Sequence, residues 1–136
     1  MSLRQHIRYV TALDGTRLAW ADAGAGPVVV KAANWMTHLE YEWSSPVWKH
    51  WLQFFSGRYR FVRYDERGCG MSDWDVEDLS QARWVEDLTA VVAAAAIDAR
   101  CASVGSGKGK VSNESDGLYV GRSPPCKLLV ASVQVV

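Results

Sequence analysis

The ten residues from Tyr64 to Asp73, which read YDERGCGMSD, constrain the fold of this chain more than any other stretch. The run from 59 to 64, which enters this stretch at Tyr64, alternates aromatic side chains with arginines, as a strand can. Gly68 and Gly70 are separated by one residue. Glycines can adopt positive φ and let the backbone approach a neighbouring loop closely, which a residue with a Cβ does only at a cost. The sequence therefore predicts a strand that ends in a tight turn packed against another loop.

The overall composition is that of a soluble globular domain. Of the 136 residues, 49% are hydrophobic and 22% are charged, and a chain of this length can bury a core. The 15 basic side chains balance the 15 acidic ones. Because there is no net charge to attract nucleic acid or an anionic membrane surface, we expect one domain with neither of these as its partner.

The sequence also indicates where the protein resides. The first residues lack the apolar core of a secretory signal, and the longest apolar run, Ala90 to Ile97, is too short to span a bilayer. Cys69, Cys101 and Cys126 are odd in number and form no C-x-x-C pair. This spacing favours reduced thiols over disulfides, and we expect a cytoplasmic protein.

The first half of the chain has the pattern of a hairpin followed by buried strands. Residues 7–23 predict a β-hairpin around Asp14-Gly15, a dipeptide typical of such turns. The apolar run Val28 to Val30 predicts a strand covered on both faces. A long loop is expected over 32–40, and the next strand over 59–64. An antiparallel hairpin that leads into a buried strand predicts a mixed sheet.

Two helices are predicted, one before and one after the turn that contains Gly68 and Gly70. Ser45 is a suitable N-cap for the first, which ends at Gly57. Asp78, with Gln81 three residues later, is a suitable start for the second, which extends to about Ala96. The expected buried face of the first helix is Val47, Trp51 and Phe54, with Trp48 and Phe55 beside them. That of the second is Trp84, Leu88, Val91 and Ala95, with Glu86 and Asp87 outside the stripe. With a further strand over 99–105, the alternation of strands and helices predicts an α/β fold with parallel strands.

The character of the chain changes after Gly105. Tyr119 is the one aromatic residue beyond position 98, and no helical period joins the segments that follow. The apolar run Leu128 to Val136 predicts a terminal strand. We therefore divide the chain into a truncated core, residues 1–105, and a divergent tail, residues 106–136. A shift of reading frame, a truncation and a genuine variant would each produce such a change.

The motif D-x-R-G-x-G-x-S, from Asp65 to Ser72, resembles the loop after the fourth strand of α/β-hydrolases. The hairpin and the strand near Val28 match the first strands of that superfamily in order and spacing. Ala33-Asn34-Trp35 stands where the family often has His-Gly followed by an oxyanion-hole residue. The resemblance covers residues of about 7–105 and implies the N-terminal half of an α/β-hydrolase fold, closest to bacterial esterase-like hydrolases.

The resemblance implies hydrolysis of carboxylic esters by a serine on a sharp turn, G-x-S-x-G, followed by an acid and a histidine. The turn would begin at Gly105, but no serine there has a glycine two places away on each side. No histidine follows position 50. Epoxide or haloalkane hydrolysis would place an aspartate at the same turn, so the sequence does not separate these reactions.

Three residues remain as candidates for the site. Ser106 is flanked by glycines and is a candidate nucleophile, or else a loop serine. The Trp35 backbone N–H is, by resemblance, a donor to an oxyanion, while its side chain alternatively lines the cleft. His38 is a candidate base or a hydrogen-bonded loop residue. Neither a cofactor nor a metal is implied.

Two functions follow from the sequence. The first is an ester hydrolase that acts on a small-molecule ester. The second is a non-catalytic remnant or association module that retains the first half of the fold, and the missing G-x-S-x-G turn favours it. In either case an apolar strand edge near 99–105 predicts a homo-oligomer, formed through that edge or through an exchanged C-terminal strand, unless the strand predicted over 128–136 folds back onto it.

Overall fold

The computed structural model describes residues 3–33 and 36–95, together with the backbone of residues 129 and 130. In chain order its elements are β1 (His6–Thr11), β2 (Arg17–Ala23), β3 (Val28–Lys31), α1 (Leu39–Ser44), α2 (Lys49–Ser56), β4 (Arg60–Tyr64), α3 (Gln81–Ala94) and β5 (Leu129–Val130). The strands form one sheet in the order β1-β2-β4-β3-β5. β2 is antiparallel to β1 and β4, whereas β3 is parallel to β4 and β5. This mixed sheet with flanking helices confirms the predicted α/β class.

The predicted hairpin is present as β1 and β2. Its register pairs His6 with Asp22 at one end and Thr11 with Arg17 at the other. Gly15 closes the turn with a φ of 88°, a conformation that glycine adopts without strain. The hairpin turn therefore forms for the reason that the Asp-Gly dipeptide suggested.

The two faces of the sheet bury different side chains because successive residues of a strand point to opposite sides. On the α3 face the buried residues are Leu18, Trp20, Val30, Val62 and Tyr64, joined by Val91 and Ala95. On the opposite face, Ala19 and Ala21 surround Leu39 of α1, and Val29 and Phe61 surround Leu52 of α2. The central strands are thus covered on both sides, as the apolar run in β3 predicted.

Helix α1 corrects the prediction of a loop over 32–40, since its first residues fall within that range. The cap is His38, which sequence statistics do not favour as an N-cap. The helix is short, and Leu39, at its first position, is buried against the sheet. Tertiary contacts rather than local propensity therefore determine that it forms.

Helix α2 begins at Lys49, with Trp48 as its N-cap, rather than just after Ser45. The prediction of its buried face is wrong for Val47, Trp51 and Phe54, whose side chains are exposed. Trp48 and Phe55, predicted beside that stripe, do pack against the core cluster of the sheet, together with the buried Leu52. Aromatic residues occur on several sides of this helix, so helical spacing alone does not determine which of them are buried. Contacts with the sheet determine this.

Helix α3 starts at Gln81 with Ser80 as its cap, and the Ser80 hydroxyl accepts from the Arg83 N–H at 3.4 Å. Asp78, the predicted cap, instead accepts from the Ser80 N–H at 2.9 Å. Of the predicted apolar stripe, Val91 and Ala95 are buried, whereas Trp84 is exposed. Asp87, predicted to lie outside the buried stripe, is 2% exposed. Its pairing with the buried guanidinium of Arg67 explains this burial.

The C-terminal strand lies next to β3. β5 is two residues long and pairs in parallel with β3, Val29 with Leu129 and Val30 with Val130. The strand predicted over 99–105 and the boundary predicted at 105 lie outside the described residues. In the part of the chain that the structure describes, no helix is long and apolar enough to cross a membrane.

Candidate active site

Two loops meet where the parallel strands β3 and β4 end. The first follows β3 and leads to α1, and the second spans Asp65 to Asp73 after β4. Parallel strands present their carboxyl ends at one edge of a sheet, and in α/β folds ligands bind in the crevice outside those ends. The candidate site is therefore built from these two loops.

The Asp65 carboxylate joins the two loops. Asp65 is completely buried, and its Oδ2 accepts from the Leu39 N–H at 3.1 Å and from the Met71 N–H at 2.8 Å. Hydrogen bonds to an ionised acceptor are among the stronger ones in proteins. One side chain at the end of β4 therefore fixes both the start of α1 and the turn that contains the glycines.

Gly70 allows the two loops to touch. Its φ is 52°, and a Cβ at this position would overlap the Asp65 carboxylate and the Thr37 carbonyl oxygen. Thr37 lies in the loop after β3 and is buried. The close approach that the two glycines predicted is thus real at Gly70. Gly68 has a φ of 80°, but a Cβ there would first meet the Val76 side chain at 3.4 Å, an ordinary contact.

Ser72 and Asp73 attach the second loop to β2. The Ala19 N–H donates to the Ser72 hydroxyl at 2.9 Å, and that hydroxyl donates to the Asp65 carbonyl at 2.7 Å. The Arg17 N–H donates to Asp73 Oδ2 at 2.8 Å, and the Asp73 N–H donates to the Arg17 carbonyl at 2.9 Å. The loop therefore continues the hydrogen bonding of the sheet beyond the end of β4.

Arg67 anchors the same loop to the hairpin and to α3. Its guanidinium is 1% exposed and donates two hydrogen bonds to the Asp87 carboxylate, both at 2.7 Å. It also donates to Asp14 Oδ2 at 2.7 Å and to the Asp78 carbonyl at 3.1 Å. Hydrogen bonds to Asp87 raise the pKa of Arg67, although burial opposes the rise. A buried arginine shared by two carboxylates thus ties together three segments that are distant in sequence.

Asp14 gives this network a dependence on pH. The hydrogen bond from Arg67, followed by the bond from the Thr16 N–H, holds the pKa of Asp14 well below its usual value. Its contribution to stability is therefore complete above an unfolded-state pKa of about 3.9. It is lost as the pH falls toward the lower pKa of the folded state.

We expect Asp14→Asn to flatten the loss of stability between about pH 4 and pH 2, because it removes a carboxylate that binds fewer protons folded than unfolded. Urea midpoints measured across that range in both proteins test this. Glu77→Gln, a change at an exposed side chain, serves as the control. An acid transition as steep in Asp14→Asn as in the wild-type chain would contradict the assigned pairing.

His38 is the one predicted site residue within the described part of the chain. Its Nδ1 accepts from the Tyr41 N–H at 3.2 Å and so caps α1. A neutral imidazole has one acceptor nitrogen, so His38 carries its hydrogen on Nε2 while it caps the helix. To act as a base it would have to give up the cap. Trp35 and Ser106 lie outside the described residues.

Solved structures of hydrolases share the fold of this chain over part of its length. The chain superposes on a hydrolase from Pseudomonas aeruginosa PA01 with a TM-score of 0.56 and 26% identity over 66% of this chain and 32% of that one. It superposes on an epoxide hydrolase mutant from Vigna radiata with a TM-score of 0.55 and 26% identity over 68% of this chain and 28% of that one. No protein-family model and no curated protein matches the sequence.

Over the matched part of its length, the chain has the fold of the α/β-hydrolases. The predicted resemblance is thereby confirmed. The chain spans about a third of the length of the solved hydrolases that it matches.

One histidine–carboxylate pair occurs among the described residues, but it does not form part of the candidate site. His6 Nδ1 lies 3.6 Å from Asp22 Oδ1, and Asp22 also accepts from Arg8 and Arg60, each at 2.9 Å. Asp22 follows Ala21 in β2 and therefore points to the opposite face of the sheet, which is the α3 face. His6 pairs with Asp22 across the strands and lies on the same face. Among the described residues, no three histidine, cysteine or acidic side chains are grouped as metal ligands.

Sequence reasoning missed two residues of the site. Asp87 looked like a solvent-facing residue on α3, and Thr37 lay in a stretch interpreted as loop. A signal for Asp87 was present, because an arginine in a tight, glycine-rich turn is buried only when it is paired. The sequence did not show which carboxylate pairs with it.

Proposed function

We propose that this chain supplies the oxyanion-loop side of a carboxylic-ester hydrolase site. The observation that carries the proposal is the attachment of the loop after β3 to the end of β4 through Asp65 and Gly70. In acyl transfer, a backbone N–H held in a fixed position can stabilise the negative charge that develops on the carbonyl oxygen. The proposed donor is the backbone N–H of Trp35, on that loop.

The proposed reaction follows the logic of serine hydrolases. Ser106 Oγ attacks the ester carbonyl, its proton passes to a base, and the Trp35 N–H stabilises the oxyanion. The ester C–O bond then breaks and the alcohol leaves with that proton, after which water hydrolyses the acyl-serine to the carboxylic acid and free Ser106. His38 is the proposed base, and this role competes with its cap on α1. The substrate class is a small-molecule ester. The related structures include an epoxide hydrolase, whose reaction is also a hydrolysis, so hydrolysis is the feature that the relatives support.

The second candidate is a non-catalytic association module. The pairing of Leu129–Val130 with β3 favours it, because a C-terminal strand that adds to a sheet edge can come from the same chain or from a second copy. In this role the chain forms a homo-oligomer through an exchanged strand. The free Cys69 thiol is compatible with the cytoplasmic location proposed for both functions.

We expect the purified chain to react with a fluorophosphonate probe at Ser106 and to hydrolyse p-nitrophenyl acetate slowly. Ser106→Ala should abolish the labelling, since the probe reacts with an activated serine hydroxyl. His38→Asn, which keeps a capping side chain, separates the two roles of the histidine. Loss of hydrolysis with unchanged stability would assign the base to His38.

A chain that neither reacts with the probe nor hydrolyses the ester would contradict the first proposal. Light scattering then tests the second on the full chain and on a variant that ends after Pro125. A dimer that becomes a monomer in the shorter variant supports an exchanged C-terminal strand. A monomer in both excludes it.

A further inference from the structure

The loop between β3 and α1 contains a strained residue. Met36 has a φ of 60°, the one positive value at a residue other than glycine in the described part of the chain. A side chain in this region of φ costs free energy and persists only where surrounding structure imposes it. The Met36 side chain is 68% exposed, so packing of that side chain does not explain the conformation.

The residues that follow Met36 are held in place mainly by contacts with β4 and with the loop after it. The Thr37 carbonyl lies against Gly70, so closely that a Cβ on the glycine would collide with it. The Leu39 N–H donates to Asp65 Oδ2 at 3.1 Å. The Leu39 carbonyl accepts from Arg63 at 3.2 Å and from Gln5 at 3.1 Å. Both backbone groups of Leu39 are therefore fixed by side chains, and the chain between β3 and Leu39 must fit the remaining span.

Asp65 is the member of this arrangement that also reaches the second loop. Its Oδ2 accepts from both the Leu39 and the Met71 amides, whereas its Oδ1 is buried and has no hydrogen-bond partner among the described residues. Within the same part of the chain, the Thr37 hydroxyl oxygen is also buried and without a partner. Unsatisfied buried oxygens carry a desolvation cost, so this geometry is maintained at the expense of stability, as is common at functional sites.

We propose that Asp65 is a positioning residue which, by holding the Leu39 and Met71 amides, keeps Met36 in its strained conformation and so fixes the backbone of residues 36–39 that leads into α1. It touches no reacting atom. The inference rests on the proposed function only in that this loop carries the proposed oxyanion donor. A carboxylate just after β4 thus fixes the backbone geometry of a segment that lies far from it in the sequence.

The coupling between Asp65 and the strain at Met36 is tested by introducing Met36→Gly into three proteins, namely the wild-type chain, Asp65→Ala and Ser72→Ala. Ser72 is the matched control because it is buried in the same loop and bonds to Asp65 and β2 rather than to the loop after β3. Glycine relieves the strain, so we expect the folding equilibrium constant to rise about threefold in the wild-type and Ser72→Ala proteins. In Asp65→Ala the loop has already relaxed, and the rise should disappear.

An equal rise in all three proteins, or no rise in the wild-type chain, would overturn the proposal. If Asp65→Ala does not fold, amide hydrogen exchange in Asp65→Asn replaces it. We expect exchange at Leu39 and Met71 to be about tenfold faster in this variant, with the β1 amides unchanged, because both amides donate to Asp65 and a neutral oxygen is a weaker acceptor than a carboxylate. Unchanged exchange at both residues would refute the assignment. Neither readout uses hydrolysis, so failure of the proposed function would leave this test intact.

Discussion

Replacing Arg67 by alanine is expected to lower the free energy of unfolding by about 3–5 kcal/mol, the usual cost of removing one partner from a buried charge pair. The change leaves Asp87, which is 2% exposed, without its two hydrogen bonds from the guanidinium. It also releases the hairpin turn at Asp14 from the loop after β4. Urea denaturation at pH 7 measures the loss.

Arg83→Ala is the control for this experiment. Arg83 pairs with Asp78 and Glu86 in the same region, but all three side chains are partly exposed. Exposed ion pairs contribute about 0–1 kcal/mol each, so this variant should lose little stability. Equal losses in the two variants would show that the Arg67 network is no more important than a surface cluster.

Gly70→Ala should destabilise the chain by about 2–4 kcal/mol, because a Cβ combines strain at positive φ with a collision in the core. The colliding groups are the buried Asp65 carboxylate and the Thr37 carbonyl. Neither can withdraw without breaking the contact between the two loops. Thermal and urea denaturation both report the change.

Gly68→Ala separates strain from collision. Gly68 also has a positive φ, of 80°, yet a Cβ there would meet the Val76 side chain at an ordinary distance. Only the conformational cost remains, about 1 kcal/mol. If Gly68→Ala were as damaging as Gly70→Ala, the close approach of the two loops would not be the main reason for glycine at position 70.

The strands were predictable because each carries a local signal. Asp14-Gly15 determines the hairpin turn, and the apolar run Val28 to Val30 marks a strand buried on both faces. The loop after β4 was also predictable, since its glycines permit conformations that other residues adopt only with strain. These features depend on residues that are neighbours in the sequence.

The missed features depend on residues that are distant in the sequence. Helix α1 has a histidine cap and a first residue fixed by Asp65 and Arg63, which no local pattern reveals. The buried face of α2 is selected by Phe61 from the sheet. Asp87 is buried because Arg67 lies opposite it. For the candidate site, the sequence therefore identified the two loops but not the contacts that join them.

Amide hydrogen exchange on the full chain tests the central claim most directly, namely that the loop after β4 is part of the folded core. The Asp65 and Asp73 amides donate to carbonyls of β2, each at 2.9 Å, and the Ala19 amide donates to Ser72. We predict that these three amides exchange as slowly as those in the middle of β2 and β4, through global unfolding. Exchange at the rate of an exposed loop, while the strands remain protected, would contradict the account.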